Sequence, residues 1–375
     1  MLGMLLVNFY GSFELCPRLL RHTNDYCSFA DTIMPQFLFA AGFALRLTLL
    51  RRLEVDGRVP WSRVLRRIPS LAAVAILWYS VTDLPDLVEK FHTQPLSQVL
   101  RHCLKRQWFQ TLMHIAATSL WILPVILCSL RTRLLFAVAS AALHAVLSAW
   151  FAFAWAYEDP RAIDGGPLGF LSWSLPALAG TWACDLMRQS NNRSPTSPLP
   201  RLTATGFALA TIGWLLAQPT TIYQTDPATN PSAPALATDP VIPHHSRLAH
   251  WNGTLAEPPF VPPPPAAERQ WNYWMMSQRA CTISYTVFTA GWSILIFALI
   301  HRICHASGFE SALLRTLGTN SLAAYILHDV VGWCIAPCLS RSASYSAILA
   351  GWIALTVLTA AGCRLLERQG WFLRV

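Results

Sequence analysis

Phe29-Ala30-Asp31-Thr32-Ile33-Met34-Pro35-Gln36-Phe37-Leu38-Phe39-Ala40-Ala41-Gly42 opens a mainly apolar run that continues to Leu50 and closes on Arg51 and Arg52. A helix needs roughly 17 to 25 such residues to cross about 30 Å of hydrocarbon, and a closing arginine cluster marks a cytoplasmic end. Residues 32–50 therefore read as a membrane span. Eight further runs meet the same criterion, at 68–84, 111–130, 134–157, 167–187, 202–219, 280–300, 316–339 and 343–363. Composition agrees, because 54% of the 375 residues are hydrophobic and only 13% charged, about half the charge of a soluble domain. The mean hydropathy of +0.38 is modest for such a chain, so a long polar or proline-rich excursion must dilute it. The expected fold is an all-α polytopic membrane protein.

Residues 1–10 are also apolar but too short to span. They read as the second half of a first, truncated helix, either because the true start lies upstream or because the bilayer thins around a short helix. About ten transmembrane helices are then expected. Counted on alternate sides, Lys and Arg number 17 across 46–67, 131–133, 188–201, 302–315 and 364–374, against 11 across 11–31, 85–110, 158–166, 220–279 and 340–342. Arg46, Arg51, Arg52, Arg58, Arg63, Arg66 and Arg67 crowd into the first of these loops, and short loops weigh most in orientation. Both termini are expected in the cytoplasm. The net charge of +9, which on a soluble protein would suggest nucleic acid, becomes a topology signal, and no nucleic-acid partner is expected. Arg101, Lys105 and Arg106 oppose the bias, so 95–110 is read as an amphipathic segment in the outer interface.

The chain is read as one domain, 1–375, with 220–279 as a proline-rich extracytoplasmic loop folded over the outer mouth. That loop holds eleven of the 26 prolines, which block helix interiors and favour extended backbone. His244, His245 and His250 lie in it without acidic or cysteine companions at ligand spacing, so no metal is expected. Asn252-Gly253-Thr254 fits the glycosylation pattern. Cys16 and Cys27, both in the first polar loop, admit either a disulfide or two free thiols. Many of the 16 tryptophans, among them Trp61, Trp78, Trp108, Trp121, Trp251 and Trp371, fall near span ends as interfacial anchors. Trp271 and Trp274 admit anchoring or carbohydrate stacking. No repeat, nucleotide-binding glycine loop or nucleophile elbow is present.

Polar groups at membrane depth are costly and so are functional candidates. Asn8 leaves the membrane just before a loop carrying His22, and Asp31 re-enters it just after. A neutral imidazole accepts a proton at neutral pH, and a carboxylate can fix its tautomer. Pro35 frees a backbone carbonyl in the next span. The plainer reading makes His22 a loop histidine and Asp31 a helix cap. His114, His144, Asp185, Asn320, His328 and Asp329 complete the set.

Val7-Asn8-Phe9-Tyr10-Gly11, a loop histidine, then Ala30-Asp31 followed by Pro35, Phe37, Phe39 and Gly42 resembles the transmembrane acyltransferases that include heparan-α-glucosaminide N-acetyltransferase and its bacterial relatives. The likeness continues in Asp164-Gly165-Gly166-Pro167-Leu168-Gly169 with Ser172 to Ala177, in Thr282 to Gly291, and in Leu317-Gly318-Thr319-Asn320-Ser321 through His328. What this resemblance implies is an enzyme that takes an acetyl group from cytoplasmic acetyl-CoA and delivers it to an amino sugar or cell-envelope glycan on the far side. It implies His22 as the catalytic residue, assisted by Asn8 and by Asp31, with Asn320 and His328 lining the same cavity. Two departures stand out. The family's opening Leu-Asp-x-x-Arg-Gly motif is missing, and His114 stands where the family has an arginine. If that arginine contacts the CoA phosphates, Arg106 and Lys105 are the nearby cations left to replace it.

The expected mechanism uses His22 as general base or transient acyl acceptor, Asn8 as donor to the developing oxyanion, and Asp31 to orient the imidazole. The rival readings are a transporter or permease for a sugar or lipid-linked substrate, with His114, His144 and Asp329 as a proton relay, and an inactive relative that keeps the fold. Expected partners are the lipid bilayer, the acyl donor and a glycan acceptor, with a homodimer allowed. The expected location is a bacterial inner membrane.

Overall fold

The computed structural model describes residues 1–23, 25–193, 197–225, 235–249, 253–308 and 310–373. His250, Trp251, Asn252 and Arg374 lie outside the described residues, so the third loop histidine and the glycosylation asparagine have no structural account. The protein is 73% helix. Among the described residues the only β pairing is two isolated bridges, Gln224 with Arg269 and Leu236 with Trp271. The helices, in chain order, are α1 (Leu2–Tyr10), α2 (Ile33–Asp56), α3 (Trp61–Thr82), α4 (Leu84–Thr93), α5 (Leu96–His102), α6 (Thr111–Ile122), α7 (Leu130–Leu147) and α8 (Phe153–Tyr157). They continue with α9 (Phe170–Arg193), α10 (Leu199–Ala217), α11 (His245–Ala249), α12 (Ile283–Ser307), α13 (Ala312–Thr319), α14 (Ser321–Ile335) and α15 (Tyr345–Arg368).

Among the described residues, seven helical stretches are long and apolar enough to cross a membrane: Ala30–Asp56, Trp61–Thr82, Leu130–Tyr157, Leu199–Tyr223, Ile283–His305, Ser321–Cys338 and Tyr345–Arg368. Each coincides with a run picked out in the sequence. The other three expected spans are helical in the expected places but fail the test for separate reasons. Helix α1 has nine residues. Helix α6 has twelve and passes into a 3-10 turn, Leu123–Val125, at Pro124. Helix α9 is 24 residues long, but Ser172, Ser174, Thr181 and Asp185 lower its apolar content.

Helix α7 shows why these elements need lipid. Its outward side chains are Leu134, Leu135, Val138 and Val146, and its buried ones are Arg133, Ser140 and His144. This is the reverse of a soluble amphipathic helix, with polar groups packed inside and large apolar groups outside. Helix α15 repeats it, with Thr356 and Thr359 buried and Ile353, Val357 and Leu358 exposed, and α10 likewise turns Phe207, Ile212 and Leu215 outward.

The chain divides into two compact units, one of Met1–Thr23, Ser28–Ile33 and Ile300–Val375, the other of Asn24–Cys27 and Met34–Leu299. In the first, Leu5, Phe9 and Phe13 pack on Leu317, Ala323, Ala324, Ile348 and Leu355. Its loops gather in two sets. Glu14 N–H donates to the Arg341 carbonyl at 2.9 Å, whereas Thr316 meets Glu367 at 3.2 Å at the other end.

In the second unit α2 and α9 approach backbone to backbone. A Cβ on Gly42 would fall 2.0 Å from the Ala177 carbonyl oxygen, and one on Gly180 2.0 Å from that of Phe39. Small residues permit this approach, which is how helices associate tightly in lipid. One end of the unit is tied by Asp185, which accepts from Arg46 at 2.5 Å and from Arg133, with Arg188 paired to Glu54. Arg46 also donates to the Ile126 carbonyl. The other end joins 101–106 to Glu158, Gly165 to Arg279, and Asp25 to Arg269. Helices α6 and α9 both run from the second of these ends to the first. The proline-rich loop packs on the second set: Phe260 N–H donates to the Cys27 carbonyl at 2.9 Å, and Val241 and Tyr273 cluster with Phe153 and Tyr157.

Candidate functional site

Asp31 lies in the 3-10 turn Ala30–Thr32, just ahead of α2, and is completely buried. Its carboxylate accepts from His22 Nδ1 at 2.8 Å, from the Ser28 backbone N–H and Oγ, each at 2.9 Å, and from Thr23 Oγ1 at 3.1 Å. A buried carboxylate is stable only when so compensated. The Ser28 hydroxyl also lies 2.8 Å from the Arg21 carbonyl, which ties the carboxylate's donor to the strand that carries His22. The side chain of His22 is 47% exposed while that of Asp31 is 0%. The carboxylate requires Nδ1 to carry the proton, so Nε2 holds the lone pair. That is the arrangement of an oriented general base.

Asn8 pairs elsewhere in the same unit. Its Nδ2 donates to His328 Nε2 at 3.1 Å, and His328 Nδ1 donates to the Tyr325 carbonyl. Asp329 Oδ1 lies 3.2 Å from the same Nε2. Asn8, His328 and Asp329 thus form one polar group at the middle of α14. Asn320 does not join them: its Nδ2 donates to the Trp371 carbonyl at 3.0 Å and its Oδ1 accepts from Leu373 N–H at 3.1 Å. Its amide clamps the segment after α15, a role with no local sequence signal because the partners lie some fifty positions on.

His114 is fully buried in the second unit, between Phe109 and Trp173. Among the described residues neither ring nitrogen has a hydrogen-bond partner of good geometry, although the Phe109 backbone lies close enough to interact electrostatically. A Cβ on Gly169 would meet the His114 ring at 2.9 Å. The histidine therefore fills an apolar slot beneath the Asp164–Gly169 turn. His144 bonds the Tyr273 hydroxyl at 2.8 Å and is a satisfied core residue. Arg106 is exposed and donates to the Arg161 carbonyl at 3.4 Å. Lys105, expected at the interface, is instead wholly buried: it donates to the Glu158 carbonyl at 2.6 Å and lies 4.6 Å from the centre of the Trp155 ring. Burial, then the charge of Arg101, pulls its pKa down to about 8. Helical periodicity does not show this because the helix widens into a π turn over Cys103–Gln107, which shifts the register of the side chains and turns Lys105 inward.

Cys16 and Cys27 are both buried. No cluster of metal-ligating side chains occurs among the described residues. Asp164, which opens the Asp164–Gly169 block, is held at positive φ and accepts from Gln278 at 2.6 Å.

What fold and site define is a class: an all-helical integral membrane protein carrying an oriented histidine–carboxylate pair in its first loop. No family model and no curated protein matches the chain.

Proposed function

We propose that the chain is a membrane acyltransferase that moves an acetyl group from cytoplasmic acetyl-CoA to an amine or hydroxyl of an amino sugar or cell-envelope glycan on the extracytoplasmic side. The observation that carries this reading is the His22–Asp31 pair, 2.8 Å apart, with the carboxylate buried and the imidazole 47% exposed. His22 Nε2 takes the acceptor's proton as its nitrogen or oxygen attacks the thioester carbonyl. The C–S bond then breaks and the CoA thiolate leaves, taking up the proton. Asp31 holds the imidazole tautomer and stabilises the imidazolium. Asn8, exposed and bonded to His328 through one N–H, has a second N–H for the developing oxyanion.

The accompanying topology has ten crossings, both termini in the cytoplasm of a bacterial inner membrane, and the His22 loop outside. It puts Arg106 on the side away from acetyl-CoA, which removes that residue as a contact for the CoA phosphates. Single-turnover rapid-quench labelling with radioactive acetyl-CoA separates the two chemical routes, since label retained on His22 marks an acyl-histidine and its absence marks direct transfer.

A second reading, transport of a sugar or lipid-linked substrate, is favoured by the His328–Asp329 pair inside the candidate span Ser321–Cys338. Proteoliposomes tell the two apart. Acetyl transfer abolished by His22→Ala supports the enzyme, and substrate flux that survives His22→Ala but not His328→Ala supports transport.

A further inference from the structure

Away from His22, in the second unit, an open pocket of about 440 Å³ is lined by His102, Arg106, Asp159, Pro160, Arg161 and Arg279. Three guanidinium groups and an imidazole face it, against one carboxylate. That carboxylate does little to neutralise them, because the Asp159 side chain is 90% exposed and stands 3.7 Å from Arg161. Among the described residues, neither Arg106 nor Arg279 has a carboxylate within ion-pair distance.

Two of the guanidinium groups lie over aromatic faces. Tyr157 stacks on Trp271, with centroids 5.0 Å apart and planes at 29°. Arg161 lies 4.9 Å over the Trp271 ring and Arg279 5.7 Å over the Tyr157 ring. Stacking of this kind fixes a guanidinium while leaving its N–H fork available for an oxyanion. The backbone behind the fork is pinned too, because Gly165 N–H donates to the Arg279 carbonyl at 2.9 Å and Lys105 to that of Glu158 at 2.6 Å. Buried His102 Nδ1 has no hydrogen-bond partner among the described residues. Burial foremost, reinforced by the charges of Arg161 and Arg106 and opposed by Tyr157 and Asp25, lowers the Arg279 pKa from its ordinary value. Three guanidinium groups gathered around one exposed carboxylate leave a surplus of positive charge, which favours an anion.

We propose that this pocket binds a phosphate ester, its phosphate held by the forks of Arg106, Arg161 and Arg279 and the group it esterifies filling the rest of the space. A bare phosphate would leave most of the pocket unfilled, whereas small-molecule sites run to about 300–1,000 Å³. Arginine forks bind phosphate in a bidentate manner. The proposal does not depend on the chemistry at His22, so either can fail alone.

The test is equilibrium binding of glucose 1-phosphate, with glucose as control, to the full chain in phosphatidylcholine nanodiscs, repeated in nanodiscs containing phosphatidylglycerol. The expected result is saturable binding of glucose 1-phosphate but not glucose, weakened at least tenfold in the Arg161→Gln/Arg279→Gln double variant. If phosphatidylglycerol abolishes that binding, the natural source is a lipid headgroup. If it has no effect, the source is a soluble ester. Should the double variant elute as aggregate, Arg106→Gln, whose side chain is exposed, reports instead with an expected three- to tenfold loss. Equal affinity for glucose and glucose 1-phosphate, or full affinity in well-folded variants, overturns the proposal.

Discussion

Asp31 does more for the candidate site than cap a helix, because every donor around it is spent on fixing one imidazole tautomer. Asp31→Asn keeps the size of the side chain but turns one acceptor into a donor, which favours the tautomer with its lone pair on Nδ1. The expected outcome is a drop in acetyl transfer of about 10²- to 10⁴-fold, the range for loss of positioned general-base catalysis, with unchanged expression and thermal midpoint to within a few degrees. Lys105 offers a second test. Its pKa is pulled from 10.5 to about 8 in the fold, so folding disfavours the charged form. The resulting destabilisation is fully present below about pH 8 and is relieved as pH rises from there towards 10.5. The thermal midpoint should climb between pH 8 and 10 in the wild type, and Lys105→Met should flatten that climb and raise the midpoint at pH 7.

At the scale of the element, the α2–α9 contact turns on two glycines that carry no chemistry. A methyl at either position would collide with backbone at 2.0 Å, and backbone cannot rotate away as a side chain can. Gly180→Ala should cost about 1–3 kcal/mol, read as a lowered midpoint in detergent, whereas Gly362→Ala, which would meet only the end of Leu327 at 3.1 Å, should be near neutral. The seven long spans were legible because apolar length and flanking arginines are local signals. Helix α6 was less so, since Pro124 ends it early and no window of apolar residues reveals where the ladder breaks. The pair His22–Asp31 was legible too, nine positions apart in one loop. Its true surroundings were not: Asn8 turned to His328 across 320 positions, and nothing near Arg161 or Arg279 hinted that they would share a pocket. Contacts of that separation depend on how helices are packed, which periodicity does not encode.

On the scale of the whole molecule, low charge content sharpens the cost of each charge retained. Asp185 is the shared acceptor of Arg46 and Arg133, whose side chains are 9% and 2% exposed. Removing it leaves two buried guanidinium groups without an acid, and Asp185→Ala should destabilise by about 3–5 kcal/mol, visible as loss of a folded peak on size exclusion. Arg46→Met with Arg133→Met and Asp185→Leu together should recover much of that loss, because an apolar set of similar volume needs no counter-ion. The central claim is the acyl transfer itself. Its most direct measurement uses purified chain in sealed proteoliposomes with radioactive acetyl-CoA on the side of the arginine-rich loops and glucosamine on the other. Acetylated glucosamine forming on the His22 side, and vanishing with His22→Ala in a variant that still folds, is the predicted result. Equal label with wild type and His22→Ala, or none with either, would contradict it.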